Sequence, residues 1–249
     1  MAIYKTKLAK KEEVADGAMA FYLEKPEGFD FIAGQYMTVS LFNPPETDDE
    51  GDSRFLSIAS APYEKYLMVA TRIRDTAFKR VLKNLPSGSE IKIAGPDGSF
   101  YLPQKSFRPV VFLIGGIGIT PVFSMIKNAA YQKLPHQLFL FYSNKRPEDA
   151  AFLKELRNLE KENPNFKLVA IMTAPAPRPD QSVGENSKTP WQGETGFITK
   201  EMIQKYVGDL NSPIYYMSGP PTMVKAIREL LEKIGINDDS IKFEEFSGY

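Results

Sequence analysis

The spacing of apolar positions changes near residue 105. Residues 1–105 hold short apolar runs at 3–8, 18–24, 35–41, 55–58, 67–72, 90–93 and 100–102. Turn residues separate them, at Pro26, Gly28, Gly34, Pro44, Pro45, Pro86, Gly88, Gly95 and Pro96. Many short strands punctuated this way predict an antiparallel β-barrel or sandwich. Residues 76–85 depart from the pattern. Phe78, Val81, Leu82 and Leu85 fall at helical spacing, which predicts one capping helix. Residues 43–53, acidic and broken by Pro44, Pro45 and Gly51, predict an exposed loop.

Residues 106–249 alternate strand and helix instead. Strands are predicted at 110–114, which is apolar without alternation, and at 137–142, 167–172 and 214–217, with a short last one at 241–244. Apolar stripes such as Phe152, Leu153, Leu156 and Leu159, or Val224, Ile227, Leu230, Leu231 and Ile234, predict helices at 148–162 and 221–234. Two more are expected at 121–132 and 199–207. Strands alternating with amphipathic helices imply an α/β, doubly wound parallel sheet. The expected architecture is therefore α+β in two domains, a barrel at 1–105 and a parallel sheet at 106–249. Ligands of such sheets sit at the carboxyl ends of the strands.

Those ends carry the candidate chemistry. The first strand runs into Gly115-Gly116-Ile117-Gly118-Ile119-Thr120-Pro121. The glycines let backbone approach a bound group, Thr120 is a candidate helix cap, and Pro121 suits a first helical turn. Free amides at a helix start favour an anion, above all a diphosphate. The plainer reading is a joint whose glycines serve packing alone. The second strand ends in Ser143-Asn144-Lys145-Arg146. An acid near here would suit the ribose of NADH; a hydroxyl, an amide and two cations suit a 2′-phosphate and favour NADPH. The alternative is a polar turn. The third strand leads into a long proline-rich loop at 174–196, where Trp191 either covers a ligand or anchors the loop. The fourth ends in Ser218-Gly219-Pro220-Pro221.

In the first half, Arg54-Phe55-Leu56-Ser57 sets a fork-shaped cation three residues before a hydroxyl. Strand alternation puts Arg54 and Leu56 on one face, Phe55 and Ser57 on the other. Thr71, Arg72, Arg74 and Thr76 lead into the predicted helix, where Thr76 is the expected cap and nearby amides and arginines suit phosphate. Surface ion pairing is the ordinary role for any one of these arginines.

Composition narrows the classes. Lys+Arg and Asp+Glu are both 31, giving zero formal charge. That balance points away from nucleic acid and anionic membrane surfaces. No apolar run approaches the ~20 residues that span a bilayer, and the N-terminal stretch lacks a signal-peptide core. A cytoplasmic location is expected. The chain has no cysteine, which excludes disulfides, a thiol nucleophile, cysteine-held iron–sulfur clusters and thiolate zinc sites. The single histidine, His136, is expected at the surface or at a strand entry. It excludes a multi-histidine metal site, so no metal site is expected.

Four motifs in order now resemble the ferredoxin–NADP reductase superfamily. Arg54-Phe55-Leu56-Ser57 is similar to its flavin motif, Arg-x-aromatic-Ser. Gly95-Pro96-Asp97-Gly98-Ser99-Phe100 is similar to its Gly-Pro-x-Gly-x-Phe turn. Gly115–Pro121 resembles the pyridine-nucleotide diphosphate loop, and Ser218-Gly219-Pro220-Pro221 the Cys/Ser-Gly-Pro-Pro nicotinamide turn. The resemblance implies FAD in the barrel, NAD(P)H on the sheet, and hydride passing from nicotinamide C4 to flavin N5. It implies that Arg54 pairs with the FAD diphosphate, that Ser57 bonds the flavin near N5, and that Thr76 with Thr71, Arg72 and Arg74 completes the diphosphate site. Phe55 and Leu56 would lie in the flavin site, with Phe246 or Tyr249 covering the ring. Gly116, Gly118, Ile119, Thr120, Ser143, Asn144, Arg146, Ser218, Gly219 and Pro220 would hold NAD(P)H. Ser57, Ser218 and Glu245 would be catalytic. The motif's stacking aromatic is Leu56 here, and Ser218 stands where some members have Cys. Electrons would leave for a separate acceptor such as ferredoxin or flavodoxin. The alternatives are a flavin or ferric-chelate reductase that uses flavin as exchangeable substrate, and an electron-transfer subunit active only in a complex.

Overall fold

The computed structural model describes residues 2–104, 108–174 and 191–246. The chain forms two compact units, Met1–Lys105 with Thr120–Leu134, and Ser106–Ile119 with Pro135–Tyr249.

The first unit holds β1 (Ile3–Ala15), β2 (Ala18–Glu24), β3 (Tyr36–Leu41), β4 (Ser53–Ser57), β5 (Tyr66–Arg72) and β6 (Glu90–Asp97). They pair antiparallel in the order β4-β3-β6-β1-β2-β5. The outer strands meet where Ile58 bridges Val69 and the Ala59 amide donates to Met68 O at 2.7 Å. The sheet thus curls into a barrel and hides most of its edge. β1 runs well past residue 8 because Lys10–Ala15 pairs with β2 across the Asp16–Gly17 turn. Gly17 supplies the positive φ that so tight a hairpin needs.

Helix α1 (Ala77–Asn84) is capped by Thr76, whose hydroxyl accepts from the Lys79 amide. Its Phe78, Val81 and Leu82 join Phe21, Met37 and Ile58 in the barrel core; each such burial contributes roughly 1.5–3 kcal/mol. Helix α2 (Ile119–Tyr131) contributes Ser124, whose hydroxyl donates to Ser60 O at 2.6 Å, and Lys127, paired with Glu64. The strand expected at 100–102 does not form. Phe100 is buried, but its carbonyl passes where a Cβ on Gly34 would stand, so its backbone packs on a glycine rather than pairing.

The second unit is a parallel sheet of β7 (Val110–Gly115), β8 (Leu138–Asn144), β9 (Phe166–Met172), β10 (Glu194–Thr195), β11 (Ile214–Gly219) and β12 (Ile241–Glu245). Its order is β10-β9-β8-β7-β11-β12. Every residue of β7 and β11 is buried, as central strands require. Successive strands run to one side of β7 and then return on its other side as β11, so the topological switch lies between them. α3 (Leu153–Glu162), α4 (Lys200–Val207) and α5 (Pro221–Lys233) complete the unit. α4 and α5 bury Ile203, Val224, Ile227 and Leu231 against Val111, Leu113, Phe141 and Met217.

One expectation is corrected here. The helix predicted from residue 148 starts at Leu153, because buried Phe152 adopts a left-handed φ of 59° and Pro147–Asp149 form a separate 3-10 turn. The two-residue β10 was too short to register as apolar periodicity. His136 is the strand-entry residue before β8, and it is buried.

Candidate functional site

In the barrel unit the chemistry converges on Arg54, near the start of β4. Side-chain parity is as expected. Leu56 packs on the barrel core, whereas Phe55 is 71% exposed and meets Tyr36 edge-on at 5.6 Å. Arg54 is already engaged. Its Nη2 donates to Asp48 Oδ1 at 2.9 Å, and its Nε pairs with Glu50 at 3.0 Å. Its Nη1 reaches the carbonyls of Glu50, Gly51 and Ser53 at 2.9–3.1 Å. The guanidinium also lies 5.0 Å from the Phe78 ring centroid. The other Asp48 oxygen accepts the Ala77 amide at 3.1 Å, at the first turn of α1. Burial pushes the Asp48 carboxyl up, but the Arg54 hydrogen bond and charge outweigh it and leave it below the usual range.

The same region gathers further cations. Lys79 is held below the usual lysine range, chiefly by burial and then by Arg74 and Arg54. Arg80 pairs with Glu46 and Asp75. Thus Arg54, Arg74, Thr76 and Lys79 come together, with Asp48 in their midst. Arg72 is drawn the other way, to Asp16 O at 3.3 Å, and Thr71 is buried in β5. Sequence reading missed Asp48; the only hint was an acidic loop before Arg54. A cation and helix amides that already hold a carboxylate suit the phosphates of a flavin dinucleotide.

In the sheet unit, the turns after β7 and β11 pack on each other. A Cβ on Gly118 would lie 2.6–2.7 Å from the backbone of Ser218 and Gly219. Gly219 has φ 146°, where L side chains are strained, and its own Cβ would meet Gly115. Close packing requires glycine at these positions. The anion-loop expectation is corrected in one respect. Gly116–Gly118 forms a 3-10 turn and the Ile119 amide already bonds Gly116 O, so that amide is spent. The helix begins at Ile119, so Thr120 sits inside it and is not its cap.

Ser218 is fully buried, and its hydroxyl has no hydrogen-bond partner among the described residues. Leaving such a group unmatched costs about 1–3 kcal/mol. The parallel register sets Ser218 beside Glu244 and Gly219 beside Glu245. Glu244 is half-buried, and burial pushes its carboxyl up to about 7; Glu245 is exposed. Glu244 is thus the carboxylate in register with the serine, and Glu245 the one in register with Gly219. Only the register of β12 on β11 reveals this, because adjacent residues point to opposite faces. Phe246 is tied down by its amide, which donates to Gly219 O at 3.2 Å. Tyr249 lies outside the described residues.

A cavity of about 990 Å³ opens on the α4/α5 face, lined by Ser143, Phe197, Met223 and Leu230 among others, with Lys200, Lys233 and the carboxylate of Glu201. Thr199 and Thr222, at the starts of α4 and α5, also line it. Apolar walls with two helix starts and two cations suit an aromatic ligand that carries phosphate. Of the β8 residues only Ser143 faces this cavity. Asn144 has the opposite parity, and both its amide atoms are buried without partners among the described residues. Trp191 donates to Glu194 O at 2.9 Å, and its ring fills the space beside Gly193. Among the described residues there is no cluster of three potential metal ligands and no helix long and apolar enough to cross a membrane.

Residues 112–229 match the family described as the oxidoreductase NAD-binding domain. The chain is 28% identical over 229 residues to the glycine betaine monooxygenase reductase subunit of Chromohalobacter salexigens, covering 91% of this chain and 59% of that one. It is 26% identical to one of the subunits of the Na(+)-translocating NADH-quinone reductase of Pseudoalteromonas atlantica, covering 86% and 54%. The chain therefore spans only a little over half the length of these relatives. Its fold matches a ferredoxin NADP+ reductase from Neisseria gonorrhoeae solved with FAD and NADP, with TM-score 0.77, 21% identity and 98% of each chain covered. It also matches a cytochrome P450 reductase from Amycolatopsis, with TM-score 0.79, 21% identity, and 99% and 71% covered.

Proposed function

We propose that the chain, whose residues 112–229 match the oxidoreductase NAD-binding domain and whose fold matches that of a ferredoxin NADP+ reductase, oxidises NADPH, or NADH, by way of FAD held in its barrel unit. Electrons then go to a separate acceptor such as ferredoxin or flavodoxin, in the cytoplasm. The observation that carries this reading is the buried Ser218 hydroxyl, unmatched among the described residues, beside Glu244 at the carboxyl edge of the sheet. A nicotinamide carboxamide would give that hydroxyl a partner and remove the cost of burying it. The dinucleotide would cross the sheet edge over the turns at Gly116–Gly118 and Ser218–Pro220, with its adenosine half in the cavity by Ser143 and Phe197. Lys145 and Arg146, with Lys200 and Lys233, are the cations that would favour the 2′-phosphate.

In the barrel, Arg54, the Ala77 amide and Thr76 would hold the flavin's phosphates, and Ser57 would serve the ring. The flavin supplies the two-electron to one-electron redox chemistry; the chain supplies position and charge. Relatives named as reductase subunits support delivery to another molecule. The test is to add FAD and NADPH anaerobically and follow the flavin absorbance. Bleaching is expected, with Ser218→Ala and Glu244→Gln slowing it; NADPH that leaves the flavin oxidised would contradict the reading.

A second reading, flavin as an exchangeable substrate, is favoured by two specific observations. Leu56 turns its side chain to the barrel core, and Arg54 is paired internally with Asp48 and Glu50. Protein that desalts to a colourless form yet reduces added flavin would establish it.

A further inference from the structure

The acidic loop at 43–53 does more than cover the barrel. Asp48 bridges Arg54 Nη2 at 2.9 Å and the Ala77 amide at 3.1 Å. A phosphate seated between a guanidinium fork and the first amides of α1 would take the same two donors. Glu50 holds Arg54 Nε at 3.0 Å, and Glu46 pairs with Arg80 on the same helix. Three carboxylates of one loop therefore answer Arg54 of β4 and Arg80 of α1, and the loop's own carbonyls wrap Arg54 Nη1.

We propose that Asp48 is an internal competitor for the phosphates of the barrel's ligand, and so sets how tightly, and how selectively by phosphate content, flavin is held. This rests on the reading that the barrel binds flavin. A ligand diphosphate reaches Arg54 and the Ala77 amide only by displacing Asp48, so part of its interaction is spent on breaking an existing ion pair. Riboflavin has no phosphate and does not meet this competition. FAD is then held as an exchangeable group rather than a permanent one.

The test uses the full chain and Asp48→Asn, which keeps the side chain's size and removes its charge. Affinities are measured for FAD, riboflavin and inorganic pyrophosphate. FAD and pyrophosphate are expected to bind about tenfold tighter to the variant, and riboflavin within about twofold of the original. A folded variant that binds FAD and pyrophosphate no better than the original overturns the competition. Should Asp48→Asn fail to fold by circular dichroism, Glu50→Gln is expected to show the same signs at about two- to threefold, since its carboxylate is exposed and its pair screened; no change there is equally contrary. The pyrophosphate measurement separates the two ideas. Tighter pyrophosphate with no flavin bound by either form leaves the competition standing and removes the flavin reading. Flavin bound equally by both forms does the reverse.

Discussion

The candidate sites of the two units present their polar groups in opposite ways. In the barrel the donors are spoken for: Arg54 and the Ala77 amide close on Asp48. At the sheet edge one is not: the Ser218 hydroxyl is buried and unmatched among the described residues, and burial pushes Glu244 beside it up to about 7. A matched site contributes to the fold's own stability and resists a ligand by as much. An unmatched one costs stability that a ligand restores. A motif shows which residue types meet, but only the surrounding chain shows whether they are free.

The largest effect that would break this contrast comes from Gly118→Ala. Its new methyl meets backbone 2.6 Å away, so the turns after β7 and β11 must part. Turnover with NADPH and an artificial acceptor is expected to fall roughly a hundredfold, given what small misplacements cost, while FAD affinity stays unchanged. An equal loss in FAD binding would show that the two sites are not separable. Next is Arg54→Ala. Losing a charge-assisted diphosphate contact of roughly 1.5–3 kcal/mol should weaken FAD at least tenfold, and unchanged affinity would remove Arg54 from the site.

Glu244 sharpens the comparison through pH. Its folded pKa lies above the carboxylate's ordinary value. The protonated form is therefore favoured by folding, and its contribution is complete below about 4.5 and lost as pH rises through about 7. Glu244→Gln should be more stable than the original at pH 8, by on the order of 2–3 kcal/mol, with no gain near pH 4.5. Urea midpoints that run parallel across that range would place Glu244 in water. The smallest effect expected is from neutralising Lys145 and Arg146 together. KM for NADPH should rise by about fivefold more than KM for NADH, as for exposed charges; equal changes would show that they do not read the 2′-phosphate.

Much of this was legible in the sequence. The change from short strands to alternating strand and helix located both sheets, and Thr76 was readable as a cap because capping is local. What escaped depends on distant partners. Asp48 matters only because its loop folds back on Arg54 and α1. Glu244 and Glu245 are indistinguishable until β12 is registered on β11. Ser143 and Asn144 separate once β8 has faces. The strand expected at 100–102 failed because Phe100 rests its carbonyl on Gly34, far away in sequence.

The most direct test of the central claim is anaerobic: purified, desalted protein mixed with one equivalent of FAD, then titrated with NADPH while the flavin absorbance is recorded. The account predicts stoichiometric bleaching, slowed in Ser218→Ala. Flavin that stays oxidised in the presence of excess NADPH and NADH would contradict it, leaving a fold of the ferredoxin–NADP reductase type without its hydride transfer.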